Sequence, residues 1–91
     1  MIDKYVFYSD PGHGWLAVEL AELAELGIAH RISRYSYLKQ GIVFLEEDMD
    51  MGTFIRAKEK LGQPVEIIDD RGQCLVRGYS PYYVSPFEVA Q

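Results

Sequence analysis

A chain of 91 residues with 48% hydrophobic and 25% charged content makes one domain, near the size at which every buried side chain counts. Its formal net charge of -5 argues against affinity built on phosphate neutralisation, and so against direct nucleic-acid binding, while it suits a basic partner. Its one cysteine, Cys74, excludes an internal disulfide; no apolar run is long enough to cross a bilayer and no signal-peptide pattern opens the chain, so a cytoplasmic protein with no membrane partner is expected.

Tyr5, Val6, Phe7 and Tyr8 form a β-branched and aromatic run that predicts a first strand. Ser9-Asp10-Pro11-Gly12-His13-Gly14-Trp15 follows, combining a forced turn, an ionisable ring and a large aromatic anchor. Pro11 presets φ for the second turn position and Gly12 permits a positive φ at the third, so Asp10 to His13 is expected to form a type II turn. With Trp15 to Val18 as the return strand, the unit reads as a hairpin carrying His13 at an exposed tip.

A strand followed by Asp-Pro-Gly-His-Gly resembles the first metal-ligand motif of zinc-dependent N-acetylmuramoyl-L-alanine amidases, and that resemblance implies His13 as a zinc ligand. The family uses a glutamate and a second histidine as further ligands. Here His30 is the only other histidine, and spacing places no carboxylate beside His13, whereas a catalytic zinc needs three protein ligands. No metal and no cofactor are therefore expected, and a zinc-dependent hydrolase centred on this turn stands as an alternative.

Glu19 to Gly27 reads as three tandem triplets of strong helix formers with a glycine placed to end the helix. The triplet spacing sets Leu20, Leu23 and Leu26 in one row and Glu19, Glu22 and Glu25 in a neighbouring row, which predicts a leucine face for the core and a ridge of carboxylates outside. Ile28 to Arg34 is a link, in which His30 reads as a polar surface residue. Tyr35-Ser36-Tyr37 alternates like a strand and Lys39-Gln40-Gly41 supplies a turn. Ile42 to Leu45 is a continuous apolar run, expected to be the central strand buried on both faces.

Glu46, Glu47, Asp48 and Asp50 form the densest charge in the chain, and Asp48 or Asp50 is placed to cap the helix Met51 to Leu61. The run lacks the glycine and distal glutamate of a calcium loop. Gly62 stops that helix, Val65 to Ile68 reads as a strand, Asp69 to Gly72 as a turn, and Cys74 to Val76 as the returning hairpin partner. The segment 78–91 alternates aromatics and prolines, among them Tyr79, Pro81, Tyr82, Tyr83, Pro86 and Phe87, and is expected to cover the sheet. Tyr5 to Gly27 and Tyr35 to Gly62 share one order of elements, a ββα repeat. The fold predicted is α+β: a mostly antiparallel sheet with two helices packed on one face.

Taken in one order, Asp10-Pro-Gly-His-Gly-Trp-Leu, Leu26-Gly-Ile, Ile32-Ser, Tyr35-Ser-Tyr and Leu45-Glu-Glu-Asp resemble a family of small uncharacterised proteins encoded by bacteriophages and other bacterial mobile elements. That resemblance implies a short acidic product that engages host machinery, including defence complexes, with His13 and Glu46 to Asp48 inside the shared motif. The function expected is a binding protein, not an enzyme. It would occupy the basic surface of a host protein or protein complex through Glu19, Glu22, Glu25, Glu46, Glu47, Asp48 and Asp50, with His13 and Trp15 as further binding residues. Self-association through an exposed sheet edge or the aromatic C-terminal segment is a second alternative.

Overall fold

A computed structural model describes residues 3–83. Its elements are β1 (Asp3–Ser9), β2 (Gly14–Glu19), α1 (Leu20–Glu25), β3 (Tyr37–Lys39), β4 (Ile42–Glu46), α2 (Met51–Lys60), β5 (Val65–Asp70) and β6 (Ser80–Pro81), with single 3-10 turns at Ala29–Arg31 and Val76–Gly78. The order ββα therefore occurs twice. The strands form one sheet in the order β5-β1-β2-β4-β3-β6, antiparallel throughout except for the parallel pair β1 and β5. α2 produces that exception by carrying the chain across the sheet from β4 to the far edge beside β1.

The apolar runs become two cores because strand side chains alternate between faces. Leu16 and Val18 pair with Leu45 and Val43 on the helix side, where Leu23 of α1, Phe54 of α2 and the link residues Ile28, Ala29 and Ile32 close over them. Phe54 is fully buried and meets the Tyr5 ring edge-on at 5.0 Å. On the other side Trp15 and Phe44 lie under Val76, with Tyr37, Cys74 and Tyr79 packed around them. Ile42–Glu46 sits between β2 and β3 with Val43 and Leu45 wholly inaccessible, as its composition predicts.

Both helices stop where glycines were expected to stop them. Gly27 and Gly62 take φ of 73° and 67°, a region that costs glycine little. After α1 the N–H groups of Gly27 and Ile28 donate to Ala24 and Leu23 carbonyls, and after α2 those of Gly62 and Gln63 donate to Glu59 and Lys58, the paired bonds of a Schellman cap. No helix among the described residues is long and apolar enough to cross a membrane.

One expected element is absent. Cys74 to Val76 is not the hairpin partner of β5, which instead pairs in parallel with β1 over six registered positions. Val76, 2% exposed, fills the space above Trp15 and Phe44, a burial that an outer hairpin strand would forgo. Of the tyrosine-rich segment, Tyr82 is buried and donates its hydroxyl to the Ala29 carbonyl at 2.6 Å, Tyr79 packs on Phe44, and Tyr83 is exposed. Pro86 and Phe87 lie outside the described residues.

Candidate functional site

The turn after β1 is held by a side chain. Asp10 Oδ1 accepts hydrogen bonds from the Gly12 and His13 N–H groups, both at 2.9 Å, while the Asp10 N–H donates to the His13 carbonyl. Gly12 has no positive φ, so this is an Asx-type turn and not the type II turn expected from Pro11-Gly12. Asp10 can replace a backbone acceptor because its carboxylate is also fixed from the other side by the Arg77 guanidinium, whose Nε donates to Oδ2. Arg77, followed by the His13 N–H, holds the Asp10 carboxyl well below the usual carboxylate range, and Asp10 raises Arg77 in turn.

His13 is thereby presented from a hydrogen-bonded loop, exposed as expected. Behind it Gly14 lies under the Phe7 ring so closely that an added Cβ would fall 2.1 Å from Cζ. Trp15 follows, 2% exposed, and its cross-strand neighbour in the β2/β4 register is Glu46. That pairing sets a carboxylate beside the histidine: His13 Nδ1 is 3.4 Å from Glu46 Oε1.

Glu46 is buried, with 6% exposure, and is oriented by its surroundings. Its Oε2 accepts the N–H groups of Asp48 and Met49 at 2.9 and 2.8 Å, and its own N–H donates to Ser36 Oγ at 3.0 Å. Ser36 Oγ in turn donates to Asp50, which also accepts from the Ser33 N–H and hydroxyl. Asp50 occupies the N-cap position of α2, yet its side chain makes no capping bond there. The expected cap is thus replaced by a bridge to the Ser33–Ser36 link. Buried and triply bonded, Asp50 ties the link to the acidic turn.

Ligand atoms of His13, Glu46 and Asp48 all lie within 4.8 Å of one another. They line a depression of about 290 Å³ with Trp15, Tyr35, Tyr37, Met49 and Arg77. Tyr35 and Met49 stand at its rim, 67% and 51% exposed, and the Arg77 guanidinium lies 5.4 Å from the centre of the Trp15 ring. The buried Trp15 Nε1 has no hydrogen-bond partner among the described residues. Tyr35, Tyr37, Met49 and Arg77 were not singled out by sequence as site residues. Tyr35 and Tyr37 belong to the Tyr35-Ser-Tyr motif and Met49 follows Leu45-Glu-Glu-Asp, whereas Arg77 carries no local signal, since only the fold brings it to Asp10.

The acids expected to make one docking surface do not form one. Glu19, Glu25, Glu47 and Asp48 are exposed, but Glu46 and Asp50 are buried. Glu22 leaves the ridge for Lys58, whose buried Nζ lies 2.9 Å from Glu22 and 2.7 Å from Asp3 and also bonds the Gln63 side chain. Burial alone would lower Lys58, but the hydrogen bonds to Asp3 and Glu22 outweigh it and leave it above the usual lysine range. Tyr5, which donates to Glu22 at 2.7 Å, is pushed up to about 12 by burial and then by that carboxylate.

No protein-family model, no curated protein and no solved structure matches the chain.

Proposed function

We propose that this chain is a divalent-metal-binding protein whose centre is built by His13, Glu46 and Asp48. The observation that carries the reading is convergence: one imidazole and two carboxylates, from two separate hairpins and the turn after β4, place donor atoms within 4.8 Å. Mixed nitrogen and carboxylate donors suit zinc and the neighbouring first-row ions. Three protein ligands leave a coordination position for water or for a ligand admitted past Tyr35 and Met49. Glu46 is pre-oriented for this role, because two backbone N–H groups hold Oε2 while Oε1 stands toward His13.

The reading recovers from the fold what linear spacing withheld, namely carboxylates beside the histidine, although the donor set is not the one expected of the amidases. It also moves the centre of interest away from the α1 ridge, where Glu22 is ion-paired. Isothermal titration of zinc into chelator-treated protein tests it. One ion per chain is expected, with affinity reduced about 100-fold in His13→Ala and in Glu46→Gln. Binding unchanged in both variants would overturn the assignment.

A further inference from the structure

The outer edge of β5 is unpaired among the described residues, since β5 ends the sheet and bonds only to β1. Such an edge offers a row of backbone donors and acceptors to an incoming strand. This one also carries exposed apolar side chains: Ile67 and Ile68 are 40% and 43% accessible. The register with β1 puts Ile67 on the helix side and Ile68 on the opposite side. On the helix side Ile67 continues into an apolar groove of about 450 Å³ floored by Met51, Ile55 and Pro64.

Charge selects the occupant. Glu59 lines the groove, and Glu66 and Asp69 bracket the isoleucines, all three exposed and free of ion pairs among the described residues. Lys4, in register with Glu66 on β1, is the one nearby cation on that strand pair. A basic occupant is favoured over a second copy, whose own β5 and groove would bring the same three carboxylates to the shared edge and only one lysine, Lys4, on its strand pair. We infer that β5 adds an extended segment of a partner protein, apolar at its centre and flanked by lysine or arginine. Main-chain bonds supply the attachment and the acids choose the partner. The surface is separate from the His13 depression and does not depend on metal.

The test uses a fluorescein-labelled heptapeptide with valine and isoleucine at its three central positions and two lysines at each end, measured by anisotropy with chelator present. The expected result is saturable binding that weakens with salt, slowed amide exchange within Val65–Asp70, and binding about tenfold or more weaker for the glutamate-flanked peptide. Ile68→Lys and the double variant Glu66→Lys, Asp69→Lys should each lose the lysine peptide while keeping the wild-type melting temperature within a few degrees. Equal binding of both peptides overturns the inference, as does protection outside β5. So does a concentration-dependent dimer protected at β5 without peptide, which would make a second copy the occupant.

Discussion

His13 Nδ1 stands 3.4 Å from Glu46 Oε1, although the two residues belong to different hairpins. The distance follows from the β2/β4 register, which pairs Trp15 with Glu46 and so places the loop just before Trp15 over the end of β4. A one-residue slip would turn Glu46 to the helix side and Leu45 to the depression, so the hydrophobic alternation that specifies the sheet also assembles the donors.

Ser36 and Asp50 support that arrangement from below. Ser36→Ala removes the acceptor for the buried Glu46 N–H and one donor to Asp50, and is expected to cost about 1–3 kcal/mol, read by urea denaturation. It should also weaken zinc binding about tenfold, because the ligand it steadies loses its anchor. Asp50→Ala leaves three donors unpaired and should destabilise more than Ser36→Ala.

The Lys58 cluster predicts an asymmetry. Lys58 is the buried member, 3% exposed, whereas Glu22 and Asp3 are 25% and 46% exposed and can turn to water. Glu22→Ala strands part of a buried charge and should cost about 2–4 kcal/mol; Lys58→Met, which fills the same space, should cost less than about 1.5 kcal/mol. Chemical denaturation of the two variants under one buffer decides the order. The folded-state value of Lys58 is raised, so its contribution is complete below the ordinary lysine range and is lost as pH rises through the folded value.

The Asp10–Arg77 pair should act at the other end of the pH scale. Asp10 is depressed by Arg77 and the turn N–H groups, so its contribution is present above the ordinary carboxylate value of about 4 and declines as pH falls toward the folded value. Asp10→Asn keeps the turn acceptor and removes the charge. The stability gap between wild type and this variant should be flat from neutral pH to about pH 5 and narrow below about pH 4. A gap that persists unchanged at the lowest pH where the protein folds would contradict the assignment.

Gly14 carries a steric prediction. A Cβ there would meet the Phe7 ring at 2.1 Å, and the ring is wedged against the helix-side core. Gly14→Ala should therefore lower stability by about 1–3 kcal/mol, and the double variant Gly14→Ala, Phe7→Leu should recover part of the loss in a thermal melt.

Much of this architecture was legible because local signals agreed with the global fold. The glycines at 27 and 62 ended helices as predicted, and the run Ile42 to Leu45 could be satisfied only inside the sheet. What escaped were features set by partners distant in the chain. Nothing near Val65 announces a parallel pairing with β1, and the turn reading of Asp69 to Gly72 pointed to a hairpin that Val76 does not complete. The acidic run misled in a related way: proximity in sequence suggested a charged surface, while alternation sent Glu46 beside His13 and the serine link drew Asp50 inside. Carboxylates within reach of His13 were thus present in the sequence but not recognisable by spacing.

The most direct test is a crystal of the full chain grown with zinc and measured on both sides of the zinc absorption edge. The account predicts an anomalous peak among His13 Nδ1, Glu46 and Asp48, about 2.0–2.2 Å from each ligand atom. An anomalous map with no peak there, in crystals whose depression is open to solvent, would contradict it.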